Sequence, residues 1–208
     1  MDFKALVTAA RTCRRFEEDT PLHMSDLEWL ADCARLTPSA RNAQVLRYVL
    51  IAGRMVSDIL PLTVWAGALK DWGGPHPGER PTGFMALLVP EEARELTFID
   101  AGIAAQTIQL AATSRGWGCC IIASFQKNRL QELLDIPAGY KIELMLGLGV
   151  AKEERRVVPL PEDGSVSYWR DAEGVHYVPK RDLDDCIVGR FRDEDGDQVV
   201  LTKISQII

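Results

Sequence analysis

The sequence predicts an α+β fold: a mixed central β-sheet flanked by helices on both faces. Three observations predict it. Hydrophobic residues make up 47% of the 208 positions, enough for a sizeable core in one domain. The apolar patterns run helices first, then strands interleaved with helices, without the regular alternation of a doubly wound sheet. The densest Gly and Pro stretch, Trp72-Gly73-Gly74-Pro75-His76-Pro77-Gly78, is followed at once by a strand pattern, so it is an insertion and not a linker. Residues 1–208 are therefore expected to form a single domain, with an insertion at 65–83 and a C-terminal extension at 190–208.

Each element has a local reason. Asp2 can cap a first helix running to about Arg11, and Pro21 closes the turn after it. Ser25 with Glu28 has capping-box spacing, and Leu27, Leu30, Ala31 and Ala34 give the stripe of a second helix that Pro38 stops. Val45 to Ala52 is a strand rich in Val, Leu, Ile and Tyr, Met55 to Leu62 a short helix, and Phe84 to Val89 a strand. Thr97 to Arg115 is the longest helix, Ala-rich and therefore suited to close packing, with Gly116 as its stop. Gly118 to Ser124 reads as a buried strand, Asn128 to Leu134 as a short helix and Lys141 to Val150 as another strand. Val166 to Trp169 and Val175 to Val178 can form a hairpin, Asp182 or Asp184 can start a last short helix, and Gln198 to Ile204 can be a final strand.

Charge and cysteine usage exclude several classes. The net charge of −6 argues against a general nucleic-acid binder, which needs a basic face. No apolar run approaches the ~18 residues of a membrane span, and the chain starts directly on a helical pattern, so neither a membrane nor a signal segment is expected. Five cysteines without a CxxC fit a reducing cytoplasm better than a disulfide framework. Cys119-Cys120 reads as a pair of buried thiols on a strand. His23, His76 and His176 have no metal-ligand spacing.

Two segments stand out chemically. Arg11-Thr12-Cys13-Arg14-Arg15 follows a helix C-terminal end, where cations complement the dipole or, alternatively, clamp a phosphate with forked donors. Lys180-Arg181 is a second basic group near the other end of the chain. Pro38-Ser39-Ala40-Arg41-Asn42-Ala43-Gln44 offers a hydroxyl and amides that either cap and turn or hydrogen-bond a flat heterocycle. Asp100 is read as a helix-start acid, with a functional acid as the alternative; Glu153-Glu154 is read as a solvated face. Gly147-Leu148-Gly149 matches no nucleotide-binding pattern and reads as a bulge or a packing requirement. No Ser/His/Asp or Cys/His order appears, so an enzyme here would rely on a cofactor.

At these residues the chain resembles the nitroreductase family of flavin enzymes. Arg11-Thr12-Cys13-Arg14-Arg15-Phe16 is similar to that family's R-S-x-R-x-F segment, with Thr12 keeping the hydroxyl and Ala10 standing where many members carry a further Arg. Thr37 to Gln44 is similar to P-S-x-x-N-x-Q-P-W, with Val45-Leu46 in place of Pro-Trp. Asp100-Ala101-Gly102-Ile103-Ala104-Ala105-Gln106, Gly116-Trp117-Gly118, Gly147-Leu148-Gly149-Val150 with Glu153, and Val178-Pro179-Lys180-Arg181 follow in the family's order.

The resemblance implies FMN bound at the interface of an intertwined homodimer. Arg11, Thr12 and Arg14 would meet the phosphate and ribityl chain from one subunit, Pro38, Ser39, Ala40 and Asn42 would come from the other, and Gln44 would also bind the cofactor. Ile121, Ile122, Ala123 and Ser124 would offer backbone groups to the ring, and Lys180 and Arg181 would return to the phosphate. NADH or NADPH would supply a hydride through flavin N5 to a small-molecule acceptor such as a nitroaromatic or quinone, with no side-chain nucleophile or base. The stretch from Trp65 to Gly83 would be a substrate-covering lid or simply a packed surface insertion. Two alternatives remain open: a different reaction on the same flavin fold (dehydrogenation, dehalogenation or flavin fragmentation), or a non-catalytic flavin-binding protein.

Overall fold

The computed structural model describes residues 2–67, 69 and 72–189. The chain divides into two compact units, Met1–Arg155 and Arg156–Ile208. In the first unit, helix α1 (Phe3–Ala9) is capped by Asp2, whose carboxylate accepts the Ala5 N–H at 3.3 Å. Helix α2 (Met24–Arg35) begins earlier than the Ser25/Glu28 box implied. The cap is made by His23 and Asp26 instead: the Asp26 carboxylate accepts the His23 N–H at 2.8 Å. A 3₁₀ turn (Ala40–Asn42) leads into strand β1 (Arg47–Ala52), followed by α3 (Met55–Ile59) and a second 3₁₀ turn (Leu60–Leu62). Strand β2 (Gly83–Pro90), helix α4 (Glu95–Ser114), β3 (Trp117–Ile122), α5 (Lys127–Leu133) and β4 (Tyr140–Val150) complete it. Gly116 adopts φ +76° just past α4, the left-handed stop expected of it.

The sheet has the order β1-β2-β4-β3. Its three pairings are all antiparallel, so the expected mixture of strand directions is absent from this sheet while the α+β class holds. Side chains alternate between two cores. On one face Met85, Leu87, Leu146 and Leu148 meet Leu27 and Leu30 of α2 and Ala104, Ala105, Ile108 and Ala112 of α4. On the other, Phe84, Ala86, Met145 and Ile122 meet Phe16, Ile59, Trp65 and Leu130. α4 carries small residues where it faces the sheet. Outward it exposes Leu96, Phe98, Ile99 and Ile103, with Phe3 and Val7 of neighbouring α1 also exposed.

The glycines of β3 and β4 are a packing requirement. Gly118 and Gly149 are direct register partners. A Cβ at Gly118 would lie 2.4 Å from Cys13 Sγ, one at Gly149 3.0 Å from the Phe16 Cβ, and one at Gly147 2.6 Å from the Trp65 ring. Bare backbone at Gly118 and Gly149 lets the segment after α1 lie against the sheet, and at Gly147 it admits the Trp65 ring. That segment is then tied down: the Cys13 N–H donates to the Cys119 carbonyl at 3.0 Å, the Glu17 N–H to Val150 at 2.9 Å, and Lys152 N–H to Arg15 at 3.0 Å.

The second unit contains a three-stranded sheet, β5-β7-β6, with β5 at Arg155–Pro159, β6 at Trp169–Arg170 and β7 at His176–Lys180. β6 and β7 form the expected hairpin, and Trp169 stacks on Tyr177 with centroids 5.2 Å apart. Helix α6 (Leu183–Cys186) starts after Asp182. The strand expected at Gln198 to Ile204 lies outside the described residues. Among those described, no helix is long and apolar enough to cross a membrane.

Candidate functional site

The residues from Pro38 to Gln44 form a loop of unusual backbone shape. Arg41, Asn42 and Gln44 adopt φ of 56°, 52° and 49°, the left-handed region that non-glycine residues rarely enter. Such angles persist only where surrounding contacts impose them. Asp100 is one such contact. It is 6% exposed on α4, and its carboxylate oxygens lie 3.0 and 3.2 Å from the Ala40 nitrogen, whose N–H they accept. Ser39 is another, its hydroxyl accepting the Gln44 N–H at 3.2 Å. The sequence expectation that Asp100 serves the helix dipole is thereby corrected: it is the sixth residue of α4, past the first turn, and it points into the loop. A cavity of about 190 Å³ opens beside it, lined in part by Pro38, Ser39, Gln44, Arg47 and Asp100. Asn42 and Gln44 are exposed, with the Gln44 amide donating to the Asn42 carbonyl at 3.3 Å.

The basic segment occupies a different place. Arg14 is 8% exposed, and its backbone N–H donates to Glu153 Oε1. Glu153 is itself 6% exposed, so it is a buried anchor and not the solvated face read from sequence. Arg11 donates from Nη2 to Val7 O at 2.7 Å, while its Nε is buried with no hydrogen-bond partner among the described residues; burial also lowers its pKa. Arg15 pairs with Glu79, whose hydrogen bond holds the arginine more basic and the glutamate more acidic than usual. Thr12 is half-buried between these arginines.

The end of β3 shares an edge with that segment. β3 is an edge strand, and the Cys119 carbonyl faces outward to the Cys13 N–H. Backbone groups two residues along a strand point to the same edge, so those of Ile121 face outward beyond the basic segment. Ile122 is directed instead to its β4 partner Met145. The Ser124 carbonyl is already taken by the Val64 N–H at 2.9 Å. The three thiols nearby are inert: burial pushes Cys13 to about 11 and Cys120 to about 12, and Cys119 well above its ordinary value.

The predicted site residues thus fall into three groups. Arg11, Thr12 and Arg14 gather with Ile121 to Ser124 near the open edge of β3. Pro38, Ser39, Ala40, Asn42 and Gln44 gather at the entry to β1, the opposite edge of the same sheet. Three inter-strand steps separate those edges, roughly 14 Å. Lys180 ends β7 and Arg181 follows it, both exposed, in the second unit. Within the 65–83 stretch, Trp65 is 6% exposed between Phe16 and Phe84, with its indole N–H on Thr63 Oγ1 at 2.9 Å. Asp100 and Glu153 are the residues that sequence reading undervalued. Both lie inside the motifs that carry the resemblance, and that position is the signal that could have found them.

Comparison with known proteins shows the family and the fold. Residues 7–150 match the model described as "Nitroreductase family". "Putative NAD(P)H nitroreductase YodC" of Bacillus subtilis (strain 168) is 22% identical over 177 residues, covering 70% of this chain and 88% of that protein. "Putative NAD(P)H nitroreductase MhqN" of the same organism is 21% identical over 188 residues, covering 74% and 91%. Among solved structures, a nitroreductase family protein from Streptococcus pneumoniae TIGR4 superposes with a TM-score of 0.63 at 19% identity, covering 78% of this chain and 97% of that one. An FMN-dependent nitroreductase from Clostridium difficile R20291 gives 0.60 at 20% identity, covering 74% and 90%.

Proposed function

The chain belongs to the nitroreductase family, and we propose that it is an FMN-dependent oxidoreductase that takes a hydride from NAD(P)H and delivers it to an electron-poor acceptor such as a nitroaromatic or quinone. The supporting observation is the division of the site between opposite edges of one sheet. Cations and outward-facing strand groups stand at one edge, and a tethered loop of hydroxyl and amide donors stands at the other. Neither half alone surrounds a flavin nucleotide; the cavity at the loop, about 190 Å³, is below the few hundred Å³ typical of small-molecule sites. A second copy of the chain would bring its loop to the first copy's basic edge. The outward apolar residues of α1 and α4 supply a surface for such a dimer, Ile99 being 52% exposed.

The residues present fit the group. The unpartnered Arg11 Nε and the Thr12 hydroxyl would hold its phosphate and ribityl chain, joined by the Arg14 side chain. Ser39, Asn42 and Gln44 would bond the ring edge or ribityl hydroxyls from the partner, with Ile121 and Ala123 backbone groups beside the ring. Bound FMN supplies the hydride chemistry at N5, so the protein needs no nucleophile or general base. The loop's left-handed backbone, fixed by Asp100, presents its donors already oriented, which lowers the ordering cost of binding.

An absorption spectrum of the purified protein, taken before and after anaerobic NADH or NADPH, tests the proposal. A flavin band that bleaches with the nucleotide and returns with a nitroaromatic is expected. Protein that stays colourless after FMN addition, or whose flavin neither nucleotide bleaches, overturns it.

A further inference from the structure

A second cavity, of about 440 Å³, lies on the other face of the sheet from α4. Its lining is mixed, with one apolar, partly flat side made by Leu60, Pro61, Pro75 and the Trp65 indole. Ser57 contributes a hydroxyl at the rim. Thr63 also lines it, but its Oγ1 is committed, donating to Leu60 O at 2.7 Å and accepting from Trp65 at 2.9 Å. Among the described residues that line it, Arg80 contributes the only charge. Its Nε is buried without a hydrogen-bond partner, and no ion pair to its guanidinium occurs among the described residues. Glu79, the acid next to it in sequence, is engaged with Arg15, and Glu18, 62 positions away, with the backbone N–H groups of Gly78 and Arg80.

The forked N–H groups of a guanidinium match a carboxylate in charge and geometry. The volume suits a small molecule, and the walls suit an aromatic body. The cavity's wall also joins the end of β3. Val64 donates to the Ser124 carbonyl at 2.9 Å, and Thr63 bridges Phe125, so the cavity adjoins the strand end placed beside the flavin ring. We infer that this cavity receives the acidic group of the electron acceptor, Arg80 pairing with the carboxylate of a small aromatic acid; this rests on the oxidoreductase reading above. Arg80 is thus a specificity-determining residue, selecting charged acceptors over neutral ones of the same ring.

Two measurements on the FMN-loaded protein test it. Calorimetric titration with benzoate reads the cavity without turnover, and steady-state reduction of 4-nitrobenzoate and nitrobenzene reads selectivity. Arg80→Gln is expected to weaken benzoate binding at least tenfold and to raise the ratio of the KM for 4-nitrobenzoate to that for nitrobenzene by a similar factor; Arg80→Lys should recover part of both. Equal benzoate affinity in wild type and Arg80→Gln, or no benzoate binding at all, overturns the site. Loss of FMN from both Arg80 variants also overturns it, by assigning Arg80 to the flavin. Arg80-dependent benzoate binding in a protein that never oxidises NAD(P)H sustains the site and removes the oxidoreductase reading instead.

Discussion

Replacing Gly118 with Ala tests how the basic segment is held. The new Cβ would sit 2.4 Å from Cys13 Sγ, 2.6 Å from Cys13 Cβ and 3.1 Å from Phe16 Cε1. Carbon atoms rest comfortably about 3.5–4.0 Å apart, so Cys13 would have to retreat by about 1 Å. It is not free to do so, because its N–H is bonded to Cys119 and Phe16 bridges Ala151. Overpacking of an interior costs about 1–3 kcal/mol, and the fixed backbone puts this case in the upper part of that range, about 2–3 kcal/mol. For a chain of this length that corresponds to a fall of roughly 4–12 °C in Tm, read by calorimetry. FMN affinity should fall as well, since Arg14 follows the displaced residue. Cys13→Ala in the same background relieves only the sulfur contact and should rescue partially; Cys13→Gly removes both contacts and should rescue further, with a coupling of about 0.5–3 kcal/mol. A Gly118→Ala protein that melts within a degree or two of wild type, or a double variant no more stable than the single, would refute the packing argument.

Three other outcomes are expected. Asp100→Leu leaves the Ala40 N–H without its acceptor, a loss of about 1–3 kcal/mol, and should weaken FMN binding about tenfold or more in a fluorescence titration, while Asp100→Asn, which keeps an acceptor oxygen, should retain most affinity; wild-type affinity in Asp100→Leu counts against the tether. Iodoacetamide at pH 8 should label Cys186 and then Cys33 in the native protein and leave Cys13, Cys119 and Cys120 unmodified until unfolding, because those three are buried with raised pKa values; mass spectrometry showing any of the three reacting as fast as Cys186 contradicts this. Ile99→Asp with Ile103→Asp places charge on the apolar face of α4 and should give a monomer of low FMN content by sedimentation; a flavin-loaded monomer would remove the two-subunit site.

The parts of the fold legible in the sequence are those whose cause is local. The apolar runs of β2 and β4, the Ala stripe of α4 and the turn at Asp171 to Gly174 each announce themselves within a few residues. What the sequence hides depends on distant partners. Glu153 meets Arg14 across 139 positions, and nothing near Glu153 in the chain marks it as buried. Asp100 was misread because the helix starts at Glu95, two residues before the expected Thr97, which moves it out of the first turn. Gly147 and Gly149 are visible as glycines, but the Trp65 and Phe16 rings that crowd them are not. Strand direction is likewise a property of pairing, and a strand's own pattern does not encode its neighbour. The donors of the candidate site were legible as residue types in order; their separation onto opposite sheet edges was not.

Arg41, Asn42 and Gln44 hold angles that a glycine would accept freely. Each non-glycine residue there gives up roughly 1–2 kcal/mol, with Asn at the low end. The loop is consequently cocked, with a few kcal/mol of conformational free energy restrained by two moorings, Asp100 and Ser39. Cutting either mooring should let the segment recoil toward ordinary backbone, whereas Arg41→Gly or Gln44→Gly should slacken it without recoil.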